Sequence, residues 1–301
     1  MPILTVVIPA RCEMFLKNTI EDIFKHSEAD TEIIAVSDGN YPVEPIPDNP
    51  KLTLITHFES IGQRAATNEA VNLSSAKYIM KVDAHCSFDQ GFDRKMIALM
   101  EDDITMVPVM RNLHAFDWVC ENGHSRYQGP SGVCEECGLP TVRDVCWIPK
   151  KNPQSTAYRF DTEMHFQYWN DWGKKQKGDL TESLSIQGSC FMCTRDKYIE
   201  LDLCSETFNS WGQQGTEVSC RTWMGGGRVL INRTTWYAHL FRTQGGDFSF
   251  PYKNPQSKVI ENRKLSKELF MNNGWKGAVR PFSWIIEKFN PPGWENYKEE
   301  N

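Results

Sequence analysis

Short apolar runs alternate with segments of helical spacing through the first third of the chain. Ile3–Pro9, Ile33–Ser37, Leu52–Thr56, Tyr78–Val82 and Ile104–Met110 read as strands. Between them, Glu13–His26 carries Phe15, Ile20, Ile23 and Phe24 at a rough helical spacing, Ile61–Leu73 reads as a small-residue helix, and Phe92–Met100 as another. The stretch from Tyr41 to Pro50 holds four prolines and is a loop. Such alternation predicts an α/β fold with a mostly parallel central sheet flanked by helices. Residues 112–150 break the pattern and read as an insertion. Beyond them, Leu184–Cys193 is strand-like, and Glu217–Met224 is a helix stopped by Gly225-Gly226-Gly227. Arg228–Asn232 and Thr235–Arg242 read as strands and Gln256–Phe270 as a charged helix, while Pro281–Trp294 is an aromatic, proline-rich stretch that wraps the core. Four units follow: 1–111, the insertion 112–150, 151–255 and the tail 256–301.

Composition narrows the function. At 301 residues and 40% hydrophobic content the chain can bury a sizeable core. A net charge of −6 and a pI near 5.7 argue against a broadly basic nucleic-acid-binding surface. No apolar run approaches a membrane span, and the opening Leu4–Ala10 segment lacks the flanks of a secretory signal. The expectation is a soluble, cytoplasmic protein whose ten cysteines are thiols or metal ligands rather than disulfides.

The chemistry concentrates at two places. Asp83-Ala84-His85 follows the Tyr78–Val82 run, so a carboxylate and an imidazole two residues apart leave a strand end on one face. In an open α/β sheet that end borders the ligand crevice, and an oxygen beside a nitrogen suits a divalent ion such as Mn²⁺. Within the insertion, Cys120-x₃-His124 is followed by Cys134-x₂-Cys137, each pair near a glycine (Gly123, Gly138). Four N/S ligands describe a closed zinc knuckle, with Cys146 as a competing fourth ligand. An aromatic cluster, His165 with Tyr168, Trp169 and Trp172, either stacks on an acceptor ring or belongs to the core.

The order of motifs resembles the polypeptide N-acetylgalactosaminyltransferases and, more loosely, the family-two glycosyltransferases, both of the GT-A (Rossmann-like) fold. Val7-Ile8-Pro9-Ala10-Arg11-Cys12-Glu13 resembles the first strand and turn that hold the uracil, and Asp38 the acid that reads the base or ribose. Gly62–Asn68, with Arg64 and Asn68, resembles the helix under the nucleotide, and Asp83-Ala84-His85-Cys86 the Asp-x-His metal motif. Gln187-Gly188-Ser189 matches the small-residue strand beside the donor sugar, with close strand packing as the equal alternative. The segment Trp211–Glu217 resembles the sugar-site Trp-Gly-Gly-Glu-Asn, and His239-Leu240-Phe241-Arg242 the stretch bearing the third metal ligand. The chain departs at Gln213-Gln214-Gly215, where the family has Gly-Glu-Asn, and this weakens any transfer of sugar identity.

The resemblance implies an enzyme that moves a sugar from a UDP-sugar to a hydroxyl, with retention of configuration. Asp83, His85 and His239 would hold Mn²⁺ (or Mg²⁺), and Arg242 the diphosphate. Pro9, Ala10, Arg11, Glu13, Asp38, Arg64, Asn68 and Gly188 would line the donor. Trp211, Gln214 and Glu217 would shape the sugar and acceptor site, Glu217 being either a base or an acid favoured by its helix N-terminus. The alternatives to these roles are a core histidine for His239 and a surface salt bridge for Arg242. The acceptor is left open among a saccharide, a peptide hydroxyl and a hydroxymethylated base in DNA. A sugar nucleotidyltransferase and a non-catalytic nucleotide-sugar-binding or scaffolding module are the rival readings.

Overall fold

The computed structural model describes residues 1–208, 212–242, 250, 256–295 and 297. Its strands are β1 (Leu4–Ala10), β2 (Thr31–Asp38), β3 (Leu52–His57), β4 (Tyr78–Val82), β5 (Cys86–Phe88), β6 (Ile104–Cys120), β7 (Ser125–Tyr127), β8 (Thr141–Ser155), β9 (Tyr158–Phe160), β10 (Phe166–Tyr168), β11 (Leu180–Glu182), β12 (Cys190–Thr194) and β13 (Arg228–His239). The helices are α1 (Leu16–His26), α2 (Gln63–Leu73), α3 (Phe92–Ile97), α4 (Asn170–Lys175), α5 (Arg195–Glu200), α6 (Gln214–Met224), α7 (Gln256–Ser266) and α8 (Phe282–Phe289).

The main sheet runs β11-β13-β6-β12-β4-β1-β2-β3. On its N-terminal side β4, β1, β2 and β3 are all parallel, as the strand–helix alternation predicts. β1 is buried along its whole length because α1 and α2 leave no solvent-facing side. β12 then enters antiparallel between β4 and β6, and β13 lies parallel to β6, so the sheet is mixed at its centre.

Several elements differ from the sequence expectation for local reasons. Only Cys190–Thr194 of the Leu184–Cys193 run is strand. Upstream of it, side chains compete for the backbone: Ser183 Oγ donates to the Ser185 carbonyl at 2.6 Å, and the Ser189 amide donates to Gln187 Oε1 at 2.6 Å. The two expected strands Arg228–Asn232 and Thr235–Arg242 are one, β13, with a register shift between Asn232 and Trp236. β6 continues without interruption through residue 112, so the insertion is rooted in the sheet, with β8 folding back along β6. A second hydrophobic cluster of Phe15, Leu113, Phe116, Trp118 and Leu240 supports that hairpin. The tail contains α8, and Phe289 packs on Trp169 and Trp172, whose rings stack 4.8 Å apart. The Trp169–Trp172 pair is therefore core. Among the described residues no helix is long and apolar enough to cross a membrane.

Candidate active site

Two strand pairings assemble the site. β4 delivers Asp83, whose amide donates to the Ser189 carbonyl at 2.8 Å. The chain then forms the three-residue β5, which pairs antiparallel with β13 and sets His239 opposite Cys86. The Leu240 amide donates to the His85 carbonyl at 3.1 Å and fixes the second loop against the first. Asp83, His85 and His239 thereby offer one ligand atom each within 4.8 Å of one another. Asp83 Oδ2 stands 3.4 Å from His239 Nε2 and 3.9 Å from His85 Nε2.

The surroundings suit a divalent cation. Both ring nitrogens of His239 are buried without a hydrogen-bond partner, a costly state that an ion bound at one of them would relieve in part. Burial pulls the His239 imidazole down to about 4, so the ring is neutral at physiological pH, the form that ligates. Burial opposes the charge of Asp83, but the Lys81 ammonium and the two imidazoles outweigh it and hold the carboxyl far below its usual range. His85 presents Nε2 because its Nδ1 faces Glu13 Oε2 at 3.2 Å.

Glu13 is thus differently employed from the expectation. The sequence assigns it to the nucleoside turn; its buried carboxylate instead bridges His85 and the Arg242 guanidinium. Burial raises its pKa, yet His85 and Arg242 bring the net value below that of an ordinary glutamate. An orienting carboxylate behind a histidine ligand fixes its tautomer and ring angle. Glu13→Gln is expected to weaken Mn²⁺ binding about 10- to 100-fold, read by an electron paramagnetic resonance titration. An unchanged affinity would separate Glu13 from the metal site.

At the C-terminal ends of β1 and β2, Pro9 and Ala10 are buried and Arg11 donates to Ser60 Oγ at 2.9 Å. Asp38 is also internally engaged. It accepts from the Ile61 amide (2.6 Å), Ser60 Oγ (2.7 Å) and the Gly62 amide (3.1 Å), so it shapes the entrance to α2. Beside it stands a pair of exposed aromatic rings that sequence reasoning missed, Tyr41 and Phe58, with centroids 6.0 Å apart. The proline-rich composition of 41–50 hid Tyr41, and Phe58 lies one residue past β3.

Arg64, Asn68 and Glu217 come together under the segment 204–208. Arg64 pairs with Glu217, donates to the Ser205 carbonyl and lies over the Phe208 ring at 4.8 Å. Asn68 donates to the Cys204 carbonyl and to Glu206. Glu217 is fully buried, accepts from the Ser205 amide at 2.8 Å and stands 3.2 Å from Arg221 Nε. Its carboxylate is filled by protein groups, unlike that of a base held open to an acceptor. Gln214, at the start of α6, donates to Cys204 Sγ. Gly188 lies against that same helix start: a Cβ there would come within 3.1 Å of the Gly215 nitrogen, and one on Gly215 would meet the Ile186 carbonyl at 2.0 Å. Trp211 lies outside the described residues. Glu217→Ala leaves the buried Arg64 guanidinium without its carboxylate partner, while Arg221 keeps Asp202, with an expected cost of about 3–5 kcal/mol in urea unfolding. Full stability with lost turnover would return Glu217 to the chemistry.

Residues 5–126 match the family model Glycosyl transferase family 2. Those residues are thus similar to a glycosyl transferase family 2 domain. The matched segment spans β1 to β7 and includes Asp83 and His85, while His239 comes from outside it. Over 91% of its length the chain is 22% identical to putative polypeptide N-acetylgalactosaminyltransferase 13 of Drosophila melanogaster, and over 78% it is 24% identical to human polypeptide N-acetylgalactosaminyltransferase 14. It spans 46% and 38% of those two relatives, less than half of each. Among solved structures, that of GalNAc-T7 with UDP, GalNAc and Mn²⁺ superposes with a TM-score of 0.68 at 16% identity, covering 98% of this chain and 58% of that one. Staphylococcus aureus TarS residues 1–349 in complex with UDP-GlcNAc superposes at 0.57 and 12% identity, covering 98% and 73%. The fold is therefore GT-A.

The second cluster lies at the far end of the β6–β8 hairpin. Cys120, His124, Cys134 and Cys137 offer ligand atoms within 4.8 Å of one another. Cys120 Sγ and Cys137 Sγ are 3.7 Å apart, and Cys134 Sγ is 3.6 Å from His124 Nδ1. These separations match the edges of a tetrahedron around zinc, about 3.8 Å for two ligands at a Zn–S distance of about 2.3 Å, and are far too long for a disulfide. Gly123 and Gly138, both at positive φ, close the two ligand turns. Cys146 groups instead with His114 and Asp117.

Proposed function

We propose that the protein is a metal-dependent glycosyltransferase that moves a sugar from a UDP-sugar to a hydroxyl acceptor. The observation that carries this reading is the convergence of Asp83, His85 and the unpartnered His239 at the strand ends of a GT-A fold, with Arg242 joined to them through Glu13. A divalent ion, Mn²⁺ or Mg²⁺, held there would act as a Lewis acid on the diphosphate leaving group. Arg242 would add fixed positive charge as the glycosidic bond breaks. Tyr41 and Phe58 offer a planar ring a stacking surface near Asp38. Pro9, Ala10, Arg11, Asn68 and Gly188 would complete the donor site, with Gln214 and Trp211 toward the sugar. The structures of GalNAc-T7 with UDP and Mn²⁺ and of TarS with UDP-GlcNAc support the donor class. In this reading transfer proceeds with retention, the acceptor is a saccharide, a peptide hydroxyl or a hydroxymethylated DNA base, and the work is done in the cytoplasm. A structural Zn²⁺ on Cys120, His124, Cys134 and Cys137 holds the hairpin tip.

The test is release of UDP from a panel of UDP-sugars, without acceptor, in Mn²⁺ and in EDTA. Slow release from one donor that EDTA stops is the expected result. No release from any donor, by folded protein that also fails to bind UDP, would overturn the reading.

A further inference from the structure

Lys81 is a lysine in the middle of a buried strand. It is completely inaccessible to solvent, lying between β1 and β12. Its ammonium has two partners: Asp83 Oδ1 and, at 2.9 Å, the Gly188 carbonyl. Asp83 is consequently divided. One oxygen is occupied by an internal cation, and the other is turned toward His239 and His85. An apolar side chain would fill this strand position without desolvating a charge, so a lysine here calls for an account.

Formal charge supplies one. Around the two imidazoles, which ligate as neutral rings, stand two carboxylates, Asp83 and Glu13, and two cations, Lys81 and Arg242. Each carboxylate is neutralised by its own cation. The pocket has no net negative charge to attract a divalent ion, and a bound ion would leave it doubly positive. A nucleoside diphosphate supplies the missing negative charge.

We propose that Lys81 is a positioning and charge-balancing residue that leaves Asp83 one oxygen for the metal and keeps the cation site weak until a diphosphate arrives with the ion. The Gly188 contact extends this to the turn at 186–189, because the same ammonium ties the metal aspartate to the backbone that packs on the N-terminus of α6. The inference rests on the metal reading of Asp83, His85 and His239 given above. Removing Lys81 has two opposing effects. Asp83 loses an orienting contact, of the kind worth about 10- to 100-fold in metal affinity. The pocket also loses a positive charge a few ångströms from where a divalent ion sits, and frees a second oxygen; in a buried, weakly screened site this effect is the larger.

The experiment is an electron paramagnetic resonance titration of Mn²⁺ into the full chain, with and without UDP, for the wild type, Lys81→Met and Lys81→Arg. The wild type is expected to bind Mn²⁺ at least tenfold more tightly with UDP than alone. Lys81→Met is expected to bind Mn²⁺ alone at least tenfold more tightly than the wild type and to gain less from UDP, whereas Lys81→Arg keeps the wild-type pattern. Wild-type protein that binds Mn²⁺ equally well with and without UDP overturns the proposal, and this arm decides even if Lys81→Met fails to fold. Folded Lys81→Met that binds Mn²⁺ no more tightly than the wild type also overturns it, leaving the metal site intact. Absence of Mn²⁺ binding under every condition overturns the metal reading itself.

Discussion

Replacing His239 by alanine is expected to lower metal-dependent UDP release about a thousandfold or more, with zinc content unchanged. Lewis-acid stabilisation of a leaving diphosphate is worth several kcal/mol, and about 4 kcal/mol corresponds to three orders of magnitude in rate. The choice of His239 over Asp83 follows from their neighbours. Among the described residues the His239 ring makes one polar contact, with Asp83 at 3.4 Å, so removing the ring disturbs little beyond that contact, although it opens a cavity next to His85 and Phe241. Removing the Asp83 charge would instead leave the Lys81 ammonium buried without its counter-ion and confound lost catalysis with lost stability. The measurement is the initial rate of UDP release at saturating Mn²⁺, alongside a thermal melt. Wild-type turnover in the variant would mean that the metal, if used at all, is held elsewhere.

The second large effect concerns the hairpin tip. The double substitution Cys134→Ser with Cys137→Ser should abolish one equivalent of zinc and unfold residues 121–140. Structural zinc contributes about 10–16 kcal/mol of apparent binding free energy in small knuckles, far more than this polar, solvent-exposed segment gains from its own packing. Protease cleavage within 121–140 should then rise by more than about tenfold, while the main sheet stays folded. Acid should act similarly. Burial raises the Cys134 thiol, but backbone N–H groups of Cys137 and Glu136 outweigh it and bring it to about 6. Protons compete with the metal for Cys134 below that value, so zinc affinity, measured by competition with a colorimetric chelator, should fall more steeply with pH there. Zinc-free protein whose tip resists protease would contradict the assignment.

Local chemistry was readable from sequence wherever it needed only neighbours along the chain. The Asp83–His85 spacing and the Cys134–Cys137 pair are short-range patterns, and the alternation of strands and helices through Met110 depends only on periodicity. What remained hidden depends on contacts between distant segments. β5 has three residues and no distinctive composition, yet its pairing with β13 is what brings His239 to Asp83. Glu13 reads as a turn residue, and it is the turn between β1 and α1 that sets it beside His85, 72 positions away. Glu217 had two plausible roles in sequence, and only the buried approach of Arg64, 153 residues upstream, reveals its ion pairs. Leu184–Ser189 looked like strand because alternating serines mimic a half-buried pattern. The Ser183 hydroxyl and the Gln187 side chain instead bond the backbone and build the turn that Lys81 grips.

The seventeen residues of β6 belong to two structures at once: their first half is a central rung of the sheet, and their last half is the stem of the hairpin that bears Cys120, His124, Cys134 and Cys137. The register there closes on Cys120 opposite Thr141, two residues that a short turn could join directly. The tip is therefore a cassette. Its β7 pairs with β6 and Gln128 bonds Leu113 and Ala115, but residues 121–140 pair with none of β4, β5 and β13, the strands that carry Asp83, His85 and His239.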